Sequence, residues 1–237
     1  MPVLNTTLNS GNTYDAIVIG SGMSGGWAAK ELCEKGLNTL TLEKGRMVGH
    51  ITDYPTMMQD DWQLENRGAL TSEDRKKYHV QIRSGFVGGA TKHFMTNDLE
   101  NPYKETKRFD WIRGNQTGGR SLVWGKHCYR WSDLDFEANA KEGIGVDWPI
   151  RYKDIAPWYS YVERFVGISG EKLGLPHLPD GEFLPPMELN CLEKHFKSDV
   201  EKQFAGRHVT IGRVAHLTEP KPWHLELGRG KCQYRNR

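Results

Sequence analysis

The sequence predicts an α/β fold, and three observations carry that expectation. Tyr14 to Ile19 is a continuous, largely β-branched run that ends on a glycine. Trp27 to Lys35 is a good helix-forming run, and Asn38 to Leu42 alternates before closing on Glu43. Strand, turn, helix and strand within about thirty residues is the unit from which parallel sheets are built.

Each element has its own reason. A short run that is apolar on both faces suits a buried parallel strand. Gly36 stands where a helix would stop. Between the first strand and the helix lies Gly20-Ser21-Gly22-Met23-Ser24-Gly25-Gly26. In that spacing Gly20 permits a tight turn, Gly22 lets backbone approach a pyrophosphate, and Gly25 lets helix and strand pack closely. Phosphates then meet the uncompensated N–H groups and the positive dipole end of the helix. About twenty residues further on, the Glu43 carboxylate is placed to accept hydrogen bonds from ribose hydroxyls and to repel a 2′-phosphate. A lone G-x-G-x-x-G reads equally as an ordinary turn, but here a strand precedes it, a helix comes after it, and an acid closes the next strand. The unit therefore predicts a Rossmann-like FAD/NAD(P)-binding domain, with Gly20, Ser21, Gly22, Ser24, Gly25 and Glu43 as cofactor-binding residues.

Composition narrows the class. The 237 residues carry 32 Lys and Arg against 30 Asp and Glu, so nothing asks for nucleic acid or an acidic membrane surface. The longest purely apolar stretch, Ala16 to Ile19, is far too short to span a bilayer. Residues 1–12 lack a basic start and an apolar run, so no secretory signal is read there. The four cysteines, Cys33, Cys128, Cys191 and Cys232, are widely spaced and form neither a disulfide framework nor a metal-ligand pattern, and no metal is assigned. A cytoplasmic setting is the default expectation. Export alongside a signal-bearing partner subunit would leave the same pattern.

The fingerprint alone does not separate FAD from NAD. Two features favour FAD: the unit starts almost at the N-terminus, and Glu43 is succeeded by Lys44-Gly45-Arg46, which resembles the E-x-G stretch of flavin oxidoreductases. A second glycine-rich segment, Thr117-Gly118-Gly119-Arg120-Ser121-Leu122-Val123-Trp124-Gly125, has paired glycines ahead of an apolar run. That arrangement lets backbone pass close to a bulky ligand, and Ser121 is read as capping a helix start. By spacing alone it reads as well as a turn before a buried segment.

This second segment resembles the one that runs under the flavin and pyrophosphate in glucose-methanol-choline oxidoreductases. Tyr129-Arg130-Trp131-Ser132-Asp133-Leu134-Asp135-Phe136 resembles the next stretch of chain in the bacterial sugar-dehydrogenase branch. Asp147-Trp148-Pro149-Ile150-Arg151-Tyr152-Lys153-Asp154-Ile155-Ala156-Pro157-Trp158-Tyr159 is similar to that branch's W-P-I-x-Y-x-D-x-x-P-x-Y motif, leading into a helix over Tyr159 to Val166. The resemblance covers residues 14–46 and 114–170. It implies an FAD-dependent oxidoreductase acting on CH–OH groups of a sugar, sugar acid or alcohol, with hydride transfer to flavin N5. It adds Gly118, Gly119, Arg120, Ser121, Trp124 and Gly125 to the cofactor-binding residues. Some relatives tether the flavin through a histidine before the tryptophan; Leu122-Val123 stand here, so non-covalent FAD is expected. The family's catalytic histidine lies towards the C-terminus. None of the nine histidines here sits in a matching motif, so no catalytic residue is named. The electron acceptor is left open, and a small or cytochrome subunit is among the partners the resemblance allows.

The organisation expected from these readings is an FAD-binding domain over 12–170, with an insertion at about 51–110, then a linker and the start of a truncated substrate-binding α+β domain over 171–237. The insertion is rich in charge and reads first as a segment packing over the cofactor domain; the glycines of Phe86-Val87-Gly88-Gly89-Ala90 also allow a second close backbone approach. Pro176, Pro179, Pro185 and Pro186 keep the stretch after Leu173 extended. Leu192 to Phe204 reads as an amphipathic helix and Val209 to Leu217 as a strand. Cys232 falls where some relatives begin an iron–sulfur segment, but a single thiolate holds no cluster. The chain reads as a fragment lacking the C-terminal catalytic half. The alternatives are a non-catalytic FAD-binding subunit and an NAD-dependent dehydrogenase, which would leave the second glycine segment unexplained.

Overall fold

The structure, a computed structural model, describes residues 11–233. The leader reading over 1–12 therefore falls almost wholly outside the described residues, as does the stretch after Gln233. The chain forms two compact units, one through Trp124 and one from Gly125. The expected division near residue 170 falls inside the second of these.

The first unit opens with β1 (Ala16–Ile19), α1 (Met23–Glu34) and β2 (Thr39–Leu42). β1 and β2 pair in parallel with Ala16 opposite Thr39 and Ile19 opposite Leu42, a sheet of two strands among the described residues. The helix begins four residues before the propensity-based start, because the loop glycines are recruited into its first turn. It ends as expected: Gly36 takes φ +83°, and its N–H donates to the Cys33 carbonyl while Leu37 N–H reaches Leu32. Val18 is buried toward α1, but Ile17 and Ile19 are 61% and 85% exposed. One face of the sheet is therefore uncovered, whereas parallel sheets are ordinarily covered on both.

The charge-rich stretch after β2 carries α2 (Ser72–Lys77) and several single 3-10 turns. Polar bonds hold it, together with a small set of buried apolar side chains. The buried Asp98 carboxylate accepts from the amides of Val80 and Gln81 and from Gln81 Nε2 at 2.7 Å. Gln81 Oε1 then accepts the Arg113 amide at 2.7 Å. Within the stretch, a Cβ on Gly89 would lie 2.8 Å from the Gly68 Cα, so this glycine serves the packing of the insertion on itself. Leu64, Val80, Phe94 and Met95 join Val18 as this unit's buried apolar side chains.

The second unit holds α3 (Asp133–Phe136), α4 (Ala138–Glu142), α5 (Tyr152–Val166), α6 (Cys191–Gln203) and α7 (Pro222–Glu226). The Tyr129–Phe136 and Asp147–Tyr159 segments meet here. Asp133 Oδ1 accepts the Tyr152 amide that starts α5, so the helix begins seven residues before Tyr159. Trp131, Phe136 and Trp148 pack edge to face at 5.8–6.1 Å. Arg130, buried, forms a two-pronged bond with the Glu163 carboxylate, Nε to Oε1 at 2.8 Å and a terminal nitrogen to Oε2 at 2.6 Å. Its remaining donors go to Tyr152 and Ser160 hydroxyls. Both segments hold α5 in place.

Two expectations need correction. Val209 to Leu217 is not a strand; Val214 makes single bridges to Ser169 and His127. Arg213 and Ala215 bond the 126–128 loop, Cys128 N–H to the Arg213 carbonyl and Ala215 N–H to the Lys126 carbonyl, while Val214 exchanges two bonds with Ser169, so each partner meets the segment at a single bridge and no ladder forms. The proline stretch after Leu173 is packed rather than a free linker: Leu184 is buried, and the Glu182 amide donates to Glu163. The α6 helix lies where its amphipathic pattern put it, capped by Asn190 and Glu193. No described helix is long and apolar enough to cross a membrane.

The Arg130–Glu163 pair yields a test. Arg130→Met alone strands a buried carboxylate and should cost about 3–5 kcal/mol in denaturant unfolding. Arg130→Met with Glu163→Leu should recover most of that loss.

Candidate cofactor site

The site begins where β1 ends. Gly20 takes φ +89° and its amide donates to the Leu42 carbonyl at 2.7 Å, tying the turn to the end of β2. The chain then enters α1 through Gly22, whose carbonyl accepts the first helical bond from Gly26 at 2.7 Å. No side chain caps this end, and its first turn holds no acidic residue. The positive end of the dipole is left to be met from outside the helix. The three glycines of the fingerprint differ in their surroundings. A Cβ on Gly25 would run into the Gly20 carbonyl, whereas one on Gly22 would meet nothing within 4 Å. Gly25 is thus required by the fold, while Gly22 keeps a space clear beside the helix terminus. Ser24 is exposed on the first turn of α1.

Glu43 reaches back across this loop. Its Oε2 accepts from the Ser21 hydroxyl at 2.6 Å and the Ser21 amide at 2.9 Å, and its Oε1 from the Gly45 amide at 2.8 Å. Burial is the largest single influence on the carboxyl and raises its pKa. The Ser21 hydroxyl and the amides of Gly45, Ser21 and Lys44 together outweigh it and hold the group below its ordinary 4.5.

The second glycine segment lies against the first. Gly118 and Gly119 both take positive φ, and the Gly118 amide donates to the Ser21 hydroxyl at 3.1 Å. A Cβ on Gly119 would stand 3.4 Å from the Gly22 Cα. Upstream, the Thr117 amide donates to the Arg46 carbonyl at 3.0 Å, and Arg46 bridges Gln116 in parallel. Ser121 is not a helix N-cap: it lies inside a 3-10 turn over Gly119–Leu122, its hydroxyl donating back to the Gly118 carbonyl at 2.6 Å. The turn is too tight for its side chain to reach forward. Arg120 is exposed and Trp124 half-buried, while Gly125 opens the second unit. Gly20, Ser21, Gly22, Glu43, Gly118 and Gly119 are thus brought together, and Arg120 lies in solvent.

Gly45 belongs to the site although sequence reasoning does not place it there. A Cβ on it would collide with the backbone of Asn115 and Gln116. The glycine of Glu43-Lys44-Gly45 is the residue that admits the second segment, and the E-x-G spacing is its only trace in the sequence.

The loop thus presents an uncapped helix terminus beside open space at Gly22, with a carboxylate held below its ordinary pKa at the end of β2. No family model matches the sequence. The chain is 26% identical to the 2-methyl-1,2-propanediol dehydrogenase of Mycolicibacterium austroafricanum over 79% of its own length and 31% of that protein's. It is 28% identical to the gluconate 2-dehydrogenase flavoprotein of Pantoea cypripedii, over 70% of the chain and 27% of the relative. With the fructose dehydrogenase large subunit of Gluconobacter japonicus the figures are 25%, 77% and 30%. Several of the relatives that the chain matches are glucose-methanol-choline oxidoreductases. It spans under a third of the length of the curated relatives it matches. Among the described residues no three His, Cys, Asp or Glu side chains stand together as a metal site, and the Cys232 amide simply donates to the Leu217 carbonyl.

This geometry has two measurable outcomes. Gly45→Ala should destabilise the chain by about 3 kcal/mol through backbone overlap, and Gly22→Ala by less than about 1 kcal/mol, compared by thermal melting. Glu43 supplies the second. Because its folded-state pKa lies below the unfolded value, the unfolded chain takes the proton more readily. Glu43 therefore contributes stability above pH about 4.5 that is lost as the pH falls through the folded value. Melting temperature tracked from about pH 6 down to about pH 3 should fall less steeply in Glu43→Gln than in the parent.

Proposed function

We propose that this chain is the FAD-binding portion of a flavin-dependent oxidoreductase acting on CH–OH groups of a sugar, sugar acid or alcohol. One observation carries the reading: two glycine turns far apart in sequence meet beside the uncapped end of α1, with the Glu43 carboxylate closing the loop. The β1–α1–β2 unit is read as the start of a Rossmann-like domain within an FAD-binding region over 12–170, and its uncovered Ile17 and Ile19 face fits a sheet with more to add.

In this reading the first-turn amides of α1 hold the pyrophosphate, with Gly22 leaving it room and Glu43 taking a ribose hydroxyl. Gly118 and Gly119 form the backbone passage, and the resemblance assigns Ser121, Trp124 and Gly125 to the flavin side of it. FAD, when bound, supplies the acceptor for the substrate's hydride. The chain's own part is to bind and orient it without a covalent tether, since Leu122-Val123 offer no nucleophile. FAD is favoured over NAD because the second glycine segment packs on the first, and because one relative is named a flavoprotein. The chain spans under a third of its relatives' length, so the proposal for these residues is FAD binding, and the oxidation is proposed of the whole protein. The name of another relative, a large subunit, makes a partner subunit part of the proposal.

Titration of the purified chain with FAD, monitored by flavin fluorescence quenching, tests this. The parent should bind with a flavin absorption spectrum. Gly22→Val, whose Cβ meets nothing within 4 Å, should lose FAD while the chain stays folded with a melting temperature lowered by only a few degrees. A parent that takes up no flavin, or a Gly22→Val variant that binds it equally well, would contradict the assignment.

A further inference from the structure

The Ser21 side chain occupies a position that the glycine fingerprint does not explain. In the spacing Gly20-Ser21-Gly22 the middle residue needs only its backbone to make the turn. Yet the Ser21 hydroxyl joins three segments: it donates to Glu43 Oε2 at 2.6 Å and accepts from the Gly118 amide at 3.1 Å, while its own amide also reaches Glu43 at 2.9 Å.

A serine hydroxyl has one proton to give. Here that proton goes to Glu43, whose depressed pKa keeps the carboxylate a strong acceptor. A diphosphate offers only acceptor oxygens, so it cannot bond the Ser21 hydroxyl unless the bond to Glu43 is broken. The acceptor side remains, and Gly118 uses it. The hydroxyl is therefore arranged to face protein on both sides. Its second partner is the residue that begins the turn at φ +85°, and that turn brings Gly119 onto Gly22.

We propose that Ser21 is a positioning residue: its hydroxyl latches the Gly118–Gly119 turn onto the dinucleotide loop, and so fixes the backbone passage for FAD without touching the cofactor through its side chain. The proposal rests on the FAD reading for its consequence, but the latch itself exists in the ligand-free chain.

The experiment uses the full chain as parent, Ser21→Ala, Ser21→Cys and Ser21→Thr, with two measurements: FAD titration, and amide hydrogen exchange at Gly118 without FAD. Ser21→Ala should speed exchange at Gly118 by about tenfold while leaving the amides of β1 unchanged, and should weaken FAD binding by about tenfold. Ser21→Thr, which keeps the hydroxyl, should restore both. Ser21→Cys keeps roughly the side-chain size with a much weaker acceptor for the Gly118 amide and a much weaker donor to Glu43, and should behave as Ser21→Ala even if alanine disturbs the turn. Unchanged Gly118 exchange in Ser21→Ala and Ser21→Cys overturns the latch. Weakened FAD binding with unchanged exchange also overturns it, since the hydroxyl would then be touching the cofactor. A parent that binds no FAD, with Gly118 exchange still responding, removes the cofactor reading and leaves the latch standing.

Discussion

The Glu43 carboxylate is the constraint on which the first unit's arrangement turns. It stands at the end of β2 and is satisfied by amides and a hydroxyl from the glycine loop and from Gly45. A partly buried carboxylate needs such donors to stay ionised, and the loop needs an acceptor to hold its amides in one direction. Each supplies the other. Once the loop is set, Ser21 presents its hydroxyl to Gly118, and Gly45 leaves the gap through which Asn115 and Gln116 pass. The charge-rich stretch between β2 and that passage serves the same end. Its Asp98–Gln81–Arg113 chain of hydrogen bonds delivers the backbone to the place where it runs beside Arg46.

How much of this is legible in the sequence depends on distance along the chain. The β1–α1–β2 unit can be read because every signal in it is local: a β-branched run, glycines at set spacing, a helix-stopping Gly36, an acid after the second strand. Gly45 cannot be assigned a contact from the sequence, since the backbone it accommodates lies about seventy residues away. Ser121 reads wrongly as a cap because a serine after two glycines is a common helix opening. The positive φ at both glycines tightens the turn and sends the hydroxyl backwards. Val209 to Leu217 has the composition of a strand, but its hydrogen-bond partners come from two loops, and strand pairing is a property of the partner as much as of the segment.

The second unit shows that a motif can be specific and still be mostly structural. Arg130, Trp131, Asp133, Trp148 and Tyr152 all lie in stretches that resemble the sugar-dehydrogenase branch; Arg130, Asp133 and Tyr152 fasten α5, and Trp131 and Trp148 pack against one another. The far end of that helix is fastened as well: Arg229 donates to the Phe165 and Val166 carbonyls and His224 Nε2 bonds the Arg164 carbonyl at 2.8 Å. Its C-terminal carbonyls thus find cationic and imidazole donors where the dipole is negative.

The backbone contact between Arg46 and Thr117 also bears on the order in which the chain acquires its shape. β1, α1 and β2 touch through neighbours in sequence and can assemble quickly. Seating the second turn means closing a loop with a sequence separation of 71, an entropic cost that precedes any reward from the contact. During refolding, the amides of α1 should therefore gain protection from exchange ahead of the Thr117 amide that bonds Arg46.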